Sequence, residues 1–171
     1  MFVGDEARLS VGFAAARVSL GNLARGSLLA EVSRRAYAEG ITGLHGIPDA
    51  DMGPRTPHQA AALPELMDVQ ARELVTRHQT AVLALRWEAW DPVTGLFPVL
   101  DADLTLTPDH PGSMLKLAGA YRPPPRRAGA GLDRAIVHQA ASATVASFFS
   151  RIAEVLLASD ADYIRPEESS P

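Results

Sequence analysis

The sequence predicts an α+β domain: a curved antiparallel sheet of about six or seven strands wrapped around a long C-terminal helix, with two short helices after the first strand. Three observations carry that expectation. Apolar residues recur at period two from Thr80 through Tyr121 in runs separated by turn residues. Two stretches with apolar residues at helical spacing lie between residues 19 and 40. A longer helical pattern follows the break at Arg122-Pro123-Pro124-Pro125.

Taken in order, Arg8 to Arg17 holds Leu9, Val11 and Phe13 at period two, which reads as the first strand. Ser19 is placed to cap a short helix that ends near Gly26. Ser27 then caps a second, whose Leu28, Leu29, Val32, Ala36 and Tyr37 form one stripe and which stops at Gly40. Ile41 to Ile47 reads as a short strand. Pro48 to Pro64 contains four prolines, so it is expected to be a loop that rims any pocket.

The meander follows. Leu66 to Thr76 reads as a strand, with a helix over Glu65 to Arg77 as the competing pattern. Thr80–Trp90, Leu96–Thr107 and Met114–Tyr121 are the clearest strands. Asp91-Pro92 with Gly95, and Pro108-Asp109-His110-Pro111-Gly112, supply turn chemistry between them. Strands joined this tightly are antiparallel. The Gly129–Gly131 hinge leads into a helix from Leu132 to Leu157, with Leu132, Ile136, Ala140, Thr144, Phe148, Ile152 and Val155 on one face. Arg134, His138 and Arg151 fall away from that face. Residues 1–159 are expected to form a single domain. Residues 160–171, with four acids and two prolines, read as a disordered tail.

Composition narrows the function classes. The chain has 171 residues, 47% of them hydrophobic and 21% charged, so it can bury a core without covalent staples. A formal charge of −4 argues against a nucleic-acid partner, because phosphate binding needs a concentrated basic surface. There is no Cys, which excludes disulfides, thiolate nucleophiles and Cys-ligated metals. No apolar run approaches the ~20 residues needed to span a bilayer, and Met1 to Glu6 lacks a signal-peptide pattern. Membrane insertion is therefore not expected, and a cytoplasmic location is.

The chemistry-bearing motifs are sparse. Asp101-x-Asp103 puts two carboxylates on one strand face, yet nothing else in the sequence supports a metal. Asp49-x-Asp51-x-Gly53 resembles a calcium loop, but its twelfth position is Ala60 where a bidentate Glu is required. His45, His58, His78, His110 and His138 show no metal spacing; His45 and His58 flank the Pro-rich loop and are the acid/base candidates there. Gly129-Ala130-Gly131 fails the dinucleotide fingerprint, since Arg134 stands where the third glycine belongs. No Gly-x-Ser-x-Gly elbow occurs. No cofactor is implied.

Strand parity defines the surfaces. Ala81, Leu83, Leu85, Trp87 and Ala89 share one face, as do Leu100, Ala102, Leu104 and Leu106, and Leu115, Leu117, Gly119 and Tyr121. These apolar sets are expected to face the helix. Arg86, Glu88, Asp101, Asp103 and Lys116 lie on the opposite face, where they can pair across strands.

The order strand, two short helices, meander, long helix is that of the helix-grip fold. The chain resembles the START-like (SRPBCC) superfamily, which includes polyketide cyclases and aromatases, lipid-transfer domains and plant PR-10 proteins. The residues that carry the resemblance are Leu83–Ala89, Leu96–Leu106, Gly119–Pro124 and the Gly129-to-Ile152 helix, and it spans residues 8 to 157. It is also similar to a group of bacterial proteins from high-GC genomes placed in that superfamily. The superfamily has no shared catalytic motif, so the resemblance implies a cavity and no catalytic residue. What it implies is binding of a hydrophobic or aromatic small molecule, lipid, polyketide or isoprenoid-like, between sheet and helix. The candidate lining is Leu85, Trp87, Leu104, Leu117, Tyr121 and Phe148. Two alternatives stay open: a cyclase, aromatase or dehydratase acting in the same cavity, with Tyr121, Arg86 or the loop histidines as its groups, and an interaction module or homodimer without a ligand.

Overall fold

A computed structural model describes residues 2–42, 67–89, 99–122 and 134–163. Within them the chain is α+β, with a six-stranded antiparallel sheet and three helices. The elements are β1 (Phe2–Leu9), α1 (Phe13–Arg25), α2 (Leu28–Thr42), β2 (Met67–Ala71), β3 (Val75–Arg77), β4 (Thr80–Ala89), β5 (Val99–Asp109), β6 (Gly112–Arg122) and α3 (Arg134–Tyr163). The sheet order is β1-β6-β5-β4-β2, and β3 also pairs with β4.

The first strand lies earlier than its alternation predicted. Phe2 to Leu9 pairs over its whole length with β6, from Phe2 opposite Ala120 to Leu9 opposite Ser113. Phe13, expected in a strand, instead opens α1, and Ser19, expected as a cap, lies inside that helix. Ala16, Leu20 and Leu23 recur at helical spacing and are all buried, and burial of that stripe outweighs three alternating residues. Gly12 stands at the N-cap, and α1 ends at Arg25 as its glycine predicted. The second helix runs past Gly40 to Thr42, so Ile41 and Thr42 are helical where a strand was expected.

The expected strand over Leu66–Thr76 exists as two. Met67–Ala71 pairs with the Leu85–Ala89 end of β4, and Val75–Arg77 with its Thr80–Val82 end. Between them the Arg72 amide still donates to the Ala84 carbonyl at 2.9 Å, so the chain bends without leaving the sheet. Leu74, in that bend, lies half-buried over Gly21 of α1. A Cβ on Gly21 would stand 3.6 Å from the Leu74 side chain.

Burial on β4, β5 and β6 follows strand parity. Leu83, Leu104, Leu106 and Leu115 have no exposed surface, and they join Leu20, Val32, Phe149, Ile152 and Leu156 of the helices in one core. Each such side chain contributes roughly 1.5–3 kcal/mol of transfer free energy. All three helices therefore bury residues against one face of the sheet. Helix α3 packs chiefly on α2, and also on α1 and β1. Of its expected apolar face, Thr144, Phe148 and Ile152 are buried and Val155 is half-buried. The helix extends through Tyr163, beyond the expected end at Leu157 and into the stretch read as tail. The Pro48–Pro64 loop, His45, His58 and the Pro123–Gly131 break lie outside the described residues.

Candidate functional site

Antiparallel register sorts the core face of the sheet into cross-strand rungs. Leu83, Leu104 and Leu117 form one rung, Leu85, Ala102 and Gly119 the next, and Trp87, Leu100 and Tyr121 a third. Val69 of β2 extends the third rung beyond Trp87. The middle rung carries nothing larger than a methyl group on β5 and β6. A Cβ at Gly119 would approach the Ala102 Cβ at 2.6 Å and the Asp101 carbonyl at 2.7 Å, so β5 and β6 close together there only because residue 119 is glycine.

All six candidate residues lie in the core. Leu104 and Leu117 sit within its aliphatic part, while Leu85, Trp87, Tyr121 and Phe148 each retain 5–6% exposure. Polar-tipped aromatics gather at the Trp87–Tyr121 end. The Tyr37 ring of α2 meets Trp87 edge-on, with centroids 5.9 Å apart and planes at 77°. Tyr37 also lies close enough to Tyr121 to oppose its ionisation. Burial first, and Tyr37 second, push the Tyr121 hydroxyl up to about 12, so it holds its proton at neutral pH.

Trp87 is the anomaly of this cluster. Its residue is 6% exposed, and its indole Nε1–H has no hydrogen-bond partner among the described residues. A buried donor left unpaired costs about 1–3 kcal/mol. Sequence parity placed Trp87 inward, but an unpaired N–H depends on which acceptors surround it in three dimensions. Tyr37 was likewise read only as part of a helical stripe; its meeting with Trp87 arises from the packing of α2 near β4.

The opposite face of the sheet is charged, as parity predicted. Arg86 bridges Glu88 along its own strand and lies 3.6 Å from Asp101 on β5. Asp101 also takes Arg122, and Lys116 pairs with Glu6 at 3.1 Å. Asp103 joins none of these pairs. A shallow trough of about 440 Å³ crosses this face, floored by Ala84, Ala118 and Ala120 and bordered by Phe2, Arg72 and Arg86. Arg86 thus points away from the core, which removes it from the acid/base candidates. Arg151, away from the core as expected, donates to Glu39 of α2, which also accepts from Ser147. Packing α3 along α2 brings that polar flank between helices. His78 and His110 are exposed in turns. Among the described residues no three His, Cys, Asp or Glu side chains gather as a metal site. No helix among them is long and apolar enough to cross a membrane.

These features define an α+β protein with an apolar core that ends at buried Trp87 and Tyr121, flanked by half-buried Tyr37. No protein-family model matches the chain, and no curated protein does. Among solved structures, the crystal structure of TTHA0849 from Thermus thermophilus superposes with a TM-score of 0.41 and 14% identity, covering 92% of this chain and 98% of that one. A superposition that loose brings no function across.

Proposed function

We propose that the protein is a helix-grip, START-like binder of a hydrophobic or aromatic small molecule, held between the core face of the sheet and α3. Leu85, Trp87, Leu104, Leu117, Tyr121 and Phe148 line the site. The observation that carries this reading is the composition of the Trp87–Tyr121 end. Three aromatics with polar tips, Tyr37, Trp87 and Tyr121, cluster there beside a core built mainly of Leu, Ala, Val, Ile and Phe. Apolar walls with a few placed polar groups are the usual make-up of a small-molecule site. The Ala102–Gly119 rung supports it further, since it separates two rungs of large side chains with small ones. Arg86, on the outer face, is not available to a reaction in this cavity.

Native mass spectrometry of the purified protein, before and after organic extraction, tests the reading. The expected result is an adduct that extraction removes, together with a fall in thermal stability that re-addition reverses. Protein that carries no adduct, and whose melting temperature is unmoved by saturating fatty acids and polycyclic aromatics, would sink it.

A further inference from the structure

We infer that the molecule held at this site presents a neutral carbonyl oxygen to the indole N–H of Trp87. The inference rests on the binding reading above and specifies the chemistry of its ligand. Indole is a donor only, so whatever completes Trp87 must be an acceptor. That donor is buried and has no partner among the described residues. The acceptor must also arrive without charge. The buried polar residues among those described are Ser33, Ser113 and Thr144, and none is a cation. Arg86, the nearest basic residue along the strand, faces the opposite side of the sheet and is engaged by Glu88 and Asp101. Among the described residues, a carboxylate brought to Trp87 would therefore find no counter-charge to replace its lost hydration.

A carbonyl is the simpler fit, because a hydroxyl brings a proton that needs a further acceptor, which Trp87, a donor only, does not supply. A ketone, quinone or ester carbonyl accepts from Trp87 and adds no donor. Tyr37 holds Trp87 edge-on, and that contact sets the orientation in which the indole meets the ligand. The ligand class is thus a neutral carbonyl compound on an apolar, ring-sized body, in preference to a free fatty acid or a plain hydrocarbon.

The experiment compares 9-fluorenone with fluorene, which share a tricyclic frame and differ in the carbonyl. Affinities are measured for the native protein and for Trp87→Phe, and the Trp87 indole proton is followed by NMR. The expected outcome is fluorenone binding tighter than fluorene by about fivefold or more, a preference that Trp87→Phe abolishes with little change for fluorene. The indole resonance should move downfield with fluorenone and not with fluorene. Equal affinities in the native protein, or bound fluorenone with an unmoved indole proton, would overturn the carbonyl assignment while leaving binding intact. An indole resonance that moves in ligand-free Tyr37→Leu would show the N–H already spent on the Tyr37 ring face, and would overturn it too. Failure of both probes to bind would remove the cavity reading and the inference together. The NMR readout on native protein decides the question even where Trp87→Phe folds poorly.

Discussion

The Ser113 hydroxyl donates a 2.9 Å hydrogen bond to the Val11 carbonyl, joining residues 102 apart in sequence, and Ser113 is wholly buried. The bond holds the start of β6 against the segment where the chain leaves the sheet for α1. Ser113→Ala leaves a buried carbonyl with one acceptor bond fewer, at a cost of about 1–3 kcal/mol. For a chain of this size each kcal/mol lowers the melting temperature by roughly 2–4 °C. Thermal unfolding of Ser113→Ala within 1 °C of the native protein would show the bond to be of no consequence.

Gly112 supports the same junction through shape. A Cβ at residue 112 would stand 1.9 Å from the Leu9 carbonyl oxygen, a distance no side chain can occupy without backbone movement. Gly112→Ala should therefore destabilise by roughly 2–3 kcal/mol or more. Chemical denaturation of Gly112→Ala, Ser113→Ala and the double variant measures this. Losses in the double variant smaller than the sum of the singles are expected, because both residues secure Leu9 to Val11.

Glu39 and Arg151 couple α2 to α3. Hydrogen bonds from Arg151, then from Ser147, lower the Glu39 pKa below its ordinary value of 4.5. A depressed carboxylate stabilises above its unfolded pKa, and that contribution is lost as pH falls through the folded value. The pair lies at the solvent-exposed edge of the helix contact, so a double-mutant cycle with Glu39→Ala and Arg151→Ala should give a small but measurable coupling at pH 7. The coupling should be lost as pH falls through the lowered pKa of Glu39, below its ordinary value of 4.5. A pH-independent coupling would contradict the assignment to charge.

Tyr121 makes an alkaline prediction. Its folded pKa is raised from 10.0 to about 12. The unfolded chain releases this proton first as pH rises, so stability is intact below pH 10 and declines between pH 10 and 12. The loss is on the order of 2 kcal/mol. Tyr121→Phe should unfold with a flatter stability profile across that range, measured by urea titration at each pH. A slope identical to that of the native protein would place the titration elsewhere.

How far the sequence reached depended on the kind of interaction. On β4, β5 and β6, alternation alone separated Leu85, Trp87, Leu104, Leu117 and Tyr121 from Arg86, Asp101 and Lys116, because side-chain direction in a strand is a two-residue property of the backbone. The end of α1 at Arg25 was equally local, set by the glycine that follows it. By contrast, Phe2–Leu9 has no strong strand pattern of its own. It is a strand because β6 offers it a partner over eight residues. The same dependence on partners split Met67–Arg77 into two strands and gave Arg151 its partner Glu39 on α2.

The site divides along the same line. Sequence determined which side chains of the sheet face the core, Leu85, Trp87, Leu104, Leu117 and Tyr121 among them, since each assignment needs only period and polarity. Tertiary structure alone decided that Tyr37 meets Trp87, that Arg86 is spent on Glu88 and Asp101, and that the Trp87 N–H is buried without a partner among the described residues. Hydrogen-bond satisfaction depends on every group within about 3 Å of an atom, and those groups come from elements far apart in the chain.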